Sequence, residues 1–102
     1  MMGRKPDASG GADYYRIEVA ANLVGLPPAR VRRYLKVGLV HALSDERGRL
    51  LLDTDEIVRL RKIRRLTTHL GLNLAGVEVV LRLLDQIDEM QALLDRSASR
   101  RR

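Results

Sequence analysis

Cysteine, phenylalanine and tryptophan are all absent from these 102 residues, and histidine occurs only twice. Without cysteine there are no disulfides, no thiolate nucleophiles and no thiolate metal sites. Three tyrosines are the only aromatic residues, so a core must come from Leu, Val, Ile and Ala, which suits helices packed on helices. No stretch approaches the roughly 18 apolar residues of a membrane span. The opening MMGRKPDASGGAD holds no apolar run of signal-peptide length. These absences lead to the expectation of a soluble, cytoplasmic chain. The two histidines, His41 and His69, stand apart without companion ligands, and each reads as an ordinary surface or half-buried polar residue. Glu18 and Glu78 lack a pocket pattern, and Ser44, Ser97 and Ser99 lack a nucleophile context. No catalytic residue, metal or cofactor is expected, and the chain does not read as an enzyme.

What the sequence does have is positive charge, a formal +6 at neutral pH. The distribution is more telling than the total. Residues 30–65 hold eleven Lys/Arg against five Asp/Glu, a net of +6, whereas residues 70–95 hold Arg82 against five acids, a net of −4. A basic segment of this kind favours a polyanion, usually nucleic acid.

The length suits one domain. Residues 1–13, with Pro6, Ser9 and the Gly10-Gly11 pair, read as a disordered tail. Ile17, Ala20, Ala21 and Val24 recur at helical spacing and predict a first helix from about Arg16 to Val24, stopped by Gly25. After a tight turn, Pro28 can open a second helix to Lys36, with Val31, Tyr34 and Leu35 as its apolar face and Gly38 closing it. Two short helices joined by a Gly-containing turn make a helix-turn-helix. Between Leu39 and Asp53, the arms VHAL and RLLLD flank the tip Ser44-Asp45-Glu46-Arg47-Gly48, which predicts a β-hairpin wing. A third helix starts at Asp53 or Thr54, carries the stripe Ile57, Leu60, Ile63, Leu66 and Leu70, and ends at Gly71. A fourth begins after the N-cap residue Asn73 and runs to about Arg96. Val77, Leu81 and Leu84 widen its apolar face near the start. Val80, Leu83, Ile87, Met90 and Leu94 alternate by three and four, a heptad seam that needs a partner. The expected organisation is a tail at 1–13, a winged helix-turn-helix domain at 14–71, a coiled-coil dimerisation helix at 72–96 and a basic frayed tail at 97–102.

The run IEVAANLVGLPPARVRRYLKVGLV resembles the opening of MerR-family regulators, with Arg32, Tyr34 and Gly38-Leu39 on that family's positions, and DTDEIVRLRKIRRL is similar to the helix after its wing. The resemblance spans about residues 15–95. It implies an all-α fold with a small β-hairpin wing, a MerR-type winged helix-turn-helix with a C-terminal dimerisation helix. The stretch LGLNLAGVEVVLRLLDQIDEM resembles two branches, the HspR-type heat-shock repressors and the CbpM-type chaperone modulators. DNA-binding members usually carry Gly-Tyr-Arg and an aromatic in the wing. Here Gly48-Arg49-Leu50 and Leu52 stand in their place, and the Leu52-Asp53 ending is closer to the modulator pattern.

Two functions are therefore weighed. In the first, the chain is a sequence-specific DNA-binding transcriptional regulator without an effector domain. Arg30, Arg32, Arg33 and Lys36 enter the groove or hold phosphates, Arg47 and Arg49 act at the wing tip, and Tyr34 anchors the helix or reaches a phosphate. Arginine suits this role because its fork binds guanine O6/N7 or phosphate in two places. A homodimer, antiparallel as the resemblance implies, would offer two such helices to a palindromic operator. The basic run Arg59, Arg61, Lys62, Arg64 and Arg65 lies on more than one helix face, so one or two of these are expected on phosphate, some paired with Asp55, Glu56 or acids of the fourth helix, and the rest as solvated charge. In the second function, the partner is the J-domain of a DnaJ-like co-chaperone, whose basic surface Asp85, Asp88 and Glu89 would meet; a DnaJ-like or DnaK-like chaperone is a candidate partner in either case.

Overall fold

The computed structural model describes residues 13–100. The tail expected at 1–13 lies, Asp13 apart, outside the described residues, as do Arg101 and Arg102. The elements in order are β1 (Tyr14–Arg16), α1 (Ile17–Val24), α2 (Pro28–Lys36), β2 (Leu43–Ser44), β3 (Leu50–Asp53), α3 (Thr54–Thr68) and α4 (Leu74–Arg100). This is the mostly helical winged helix-turn-helix that the sequence predicts, with one strand more than expected. β1 adds to the far side of the wing, giving an antiparallel sheet in the order β1-β3-β2. Tyr14 pairs with Asp53 and Arg16 with Leu51, and on the other edge Leu43 also faces Leu51.

The helix-turn-helix is shaped by its turns. Gly25 sits at φ 74°, in the left-handed region that glycine adopts without steric penalty, and just beyond it the Leu26 N–H donates to the Ala21 carbonyl at 3.0 Å. Gly38 closes α2 the same way, at φ 82°, with the Leu39 N–H donating to the Tyr34 carbonyl at 2.9 Å. Leu39 and Val40 are then both buried, so the chain beyond α2 folds onto the core. The hairpin arm expected from Val40 therefore pairs only at Leu43–Ser44.

The core joins Ile17, Ala20, Ala21 and Val24 of α1 to Val31 and Tyr34 of α2, Leu52 of β3, Ile57, Leu60 and Ile63 of α3, and Val77 and Leu81 of α4. Asp53 caps α3 by accepting from the Glu56 N–H at 3.0 Å. That helix ends at Thr68, earlier than expected, and the Leu72 N–H reaches back to the Leu66 carbonyl across the Gly71 turn. Leu70, expected to finish the stripe, lies beyond the helix and is 67% exposed.

Asn73 caps α4, its Oδ1 accepting from the Gly76 N–H at 2.9 Å. The helix has 27 residues, about 40 Å at 1.5 Å per residue. It continues through residues 97–100, where a frayed tail was expected. Ala98 is a strong helix former, and Arg96 and Arg100 sit favourably near the negative end of the helix dipole. Only the start of α4 is packed: Val77 and Leu81 are buried, Val80 and Leu84 are half-buried, and every residue from Asp85 to Arg100 is exposed. Arg59 of α3 braces this start. Its Nε donates to the Leu39 carbonyl at 2.6 Å and its guanidinium meets Asp85 at 3.2 Å. One member of the basic run thus pairs with an acid of the fourth helix, as anticipated.

Candidate nucleic-acid interface

Helix α2 turns 100° per residue. With Val31 and Tyr34 buried, Arg32, Lys36, Arg33 and Arg30 follow one another around an exposed arc of about 160°. Arg33 and Lys36 occupy its middle. Arg32 lies at the edge toward α1, and Arg30 at the edge toward the end of α3. Arg30 and Arg33 share a shallow pocket of about 440 Å³ with Tyr34, Thr67 and Leu74. Tyr34 is 4% exposed and belongs to the core. Its burial suits the expected anchoring role, and it also lines the pocket beside Arg30 and Arg33.

The wing turn is organised by Asp45. One carboxylate oxygen accepts from the Arg47 and Arg49 backbone N–H groups, both at 2.9 Å, and the other accepts from Arg49 Nε at 2.7 Å. The Asp45 N–H donates in turn to the Arg49 carbonyl. Partial desolvation works against the Asp45 charge. Hydrogen bonds from the Arg49 backbone and side chain and from the Arg47 backbone outweigh it and lower the pKa below the ordinary aspartate value.

The two halves of the expected site meet in a small cleft lined by Arg16, Ile17, Glu18, Arg32, Arg49 and Leu50. It brings the wing's Arg49 beside Arg32 of α2, with Glu18 of α1 ion-paired to Arg32. The Glu18 pKa is lowered, first by its own backbone N–H at the helix start and then by the Arg32 hydrogen bond. Sequence reasoning missed Arg16 as a member of this face. It reads locally as the residue where a helix begins, and only the pairing of β1 with β3 carries it to the wing. Arg47 stands exposed at the wing tip, apart from this cleft.

The expected seam is uncovered. Leu83, Ile87, Met90 and Leu94 are 51–64% exposed, while Val80 is half-buried against its own domain. Leu93 adds to the open face. Among the described residues, no group of three or more His, Asp or Glu side chains is placed to hold a metal ion, and no helix is long and apolar enough to cross a membrane.

Residues 15–84 match the family model described as MerR HTH family regulatory protein. The chain belongs to the MerR family. Over 79 residues this MerR protein is 40% identical to a protein of Streptomyces coelicolor named "Putative heat shock protein HspR". The match takes in 76% of this chain and 52% of that relative, so the chain spans about half its relative's length. HiNmlR, described as a MerR family regulator lacking the sensor domain and crystallised bound to promoter DNA, superposes with a TM-score of 0.65. The identity is 22%, with 82% of this chain and 67% of that one covered. A MerR family transcriptional regulator from Bacillus cereus gives a TM-score of 0.60 at 24% identity, covering 85% and 74% of the two chains. At these identities the likeness to the two structures is one of fold.

Proposed function

We propose that this MerR-family chain is a sequence-specific DNA-binding transcriptional regulator of the HspR type, acting as a homodimer. The observation that carries the reading is the continuity of its basic face. Arg33 and Lys36 lie in the middle of the exposed arc of α2, and the Arg16–Arg32–Arg49 cleft extends that face to the wing. A helix of this width fits the major groove, while wing cations reach the flanking phosphates. The HspR name of the curated relative and the DNA-bound state of HiNmlR support the same reading. The chaperone-modulator alternative shares the fold, but the named relative lies on the regulator side.

The uncovered seam of α4 supports pairing with a second copy. Centred between Asp88 and Glu89, an antiparallel pair sets Leu83 opposite Leu94 and Ile87 opposite Met90.

The test is binding of the protein to its own upstream region against a scrambled duplex across a salt series. Selective binding with a steep salt dependence is expected. Equal, salt-labile binding to both duplexes would overturn the reading.

A further inference from the structure

We infer that Glu18 is a positioning residue that sets the Arg32 guanidinium for reading a base, and so determines which sequence is bound without adding to affinity. The inference rests on the DNA-binding reading above.

The six candidate cations fall into two groups. Arg30, Arg33, Lys36 and Arg47 have side chains without a hydrogen bond or ion pair among the described residues, whereas Arg32 and Arg49 are each held by a carboxylate. The two held arginines differ in turn. Arg49 is tied to Asp45 four residues away within one turn, an arrangement that shapes the wing itself. Arg32 is tied to Glu18 fourteen residues away, across the helix-turn-helix from α2 to α1. No local helix geometry requires that contact.

The contact engages one terminal nitrogen of Arg32. A guanidinium has five N–H donors in a fixed fork, so the remainder of the fork is left for a ligand. An arginine already held in one orientation loses less rotamer freedom on binding than a loose one. Its fork then meets guanine O6 and N7 in a defined geometry. Glu18 itself lowers affinity for any polyanion, because it puts a negative charge among Arg16, Arg32 and Arg49 on the face that meets phosphate. A carboxylate that weakens general attraction while orienting one arginine raises the ratio of specific to non-specific binding. Glu18 stays ionised in this setting, as its lowered pKa reflects.

The experiment selects bound sequences from a pool of random duplexes, using the full chain and its Arg32→Ala and Glu18→Gln variants, and measures affinity for a scrambled duplex at several salt concentrations. Arg32→Ala should lose its preference at one base position per half-site, on the order of tenfold. Glu18→Gln should relax that same position by about threefold, a part of the bidentate effect, while binding the scrambled duplex more tightly and with a steeper salt dependence. If Glu18→Gln relaxes no position, or relaxes all of them equally, Glu18 is only a solvated counter-charge and the inference is overturned. A wild-type chain that enriches no sequence at all would instead overturn the DNA-binding reading, and this inference with it.

Discussion

Helix α2 and the outer half of α4 are both one-sided, yet they turn opposite sides to solvent. In α2, Val31 and Tyr34 face inward and four cations face out. In the outer half of α4, Leu83, Ile87, Met90 and Leu94 are left in water beside Asp85, Asp88 and Glu89. The difference is one of reach. A nine-residue helix lies within range of α1 and of the sheet and helices around it, so the domain covers its apolar stripe. A helix of about 40 Å outruns the domain that roots it, and only Val77 and Leu81 are covered. An amphipathic pattern therefore specifies an apolar face without specifying what covers it. Each large apolar side chain taken fully out of water is worth about 1.5–3 kcal/mol, and four such side chains per copy are a substantial drive to associate.

The comparison is broken most severely by Ile87→Asp, which puts an unpaired charge at the middle of the seam. The dimer should weaken by at least about a hundredfold, on the order of 3 kcal/mol, and sedimentation should show a monomer whose helical content is unchanged at the winged part. A variant that still sediments as a dimer would place the pairing surface elsewhere. Leu60→Ala and Leu94→Ala then set core against seam. Leu60 is fully buried, and its truncation should cost about 2–5 kcal/mol in denaturant unfolding. Leu94→Ala, measured at protein concentrations below dimerisation, should change stability by no more than about 0.5 kcal/mol. On the cationic side, Arg32→Ala combined with Arg33→Ala should abolish selective binding in a gel-shift assay while leaving the dimer and its circular dichroism intact. A double variant that still shifted the upstream duplex selectively would remove α2 from the groove.

The smallest effect concerns pH. The lowered pKa of Asp45 means that its carboxylate adds stability above its unfolded-state value, and that this contribution is lost as pH falls through the folded-state value. The wing should therefore loosen below roughly pH 4, seen as faster amide exchange at Arg47 and Arg49, while α1 to α3 keep their protection. Asp45→Asn should show the fast exchange at neutral pH and little further change on acidification.

What could be read from the sequence follows how local each determinant is. The caps Asp53 and Asn73, the stop at Gly25 and the face of α2 depend on residues within a turn of one another, and all are found where the spacing places them. β1 was missed because three residues are too few to show alternation, and its partner Asp53 lies 39 positions from Tyr14. The brace made by Arg59 joins the Leu39 carbonyl to Asp85, so a local reading sees only one more cation in a basic run. The candidate site divides the same way. Which cations share a face of α2 is set by helical period, whereas the meeting of Arg32, Glu18, Arg16 and Arg49 in one cleft depends on the wing folding back to α1.

The unbroken course of α4 makes it something like a camshaft. Val77 and Leu81 key it to the winged domain at one end, and Ile87 and Leu94 present the seam further along the same rod. Each residue between them adds about 100° of rotation and 1.5 Å of advance. The angle between α2 and the seam is thus stored in a residue count. One alanine inserted between Leu81 and Leu83 would swing the seam by about 100° and carry the second α2 of a dimer to a different side of the duplex. Seven inserted residues would bring the seam back to within about 20° of its phase and lengthen each arm by about 10 Å.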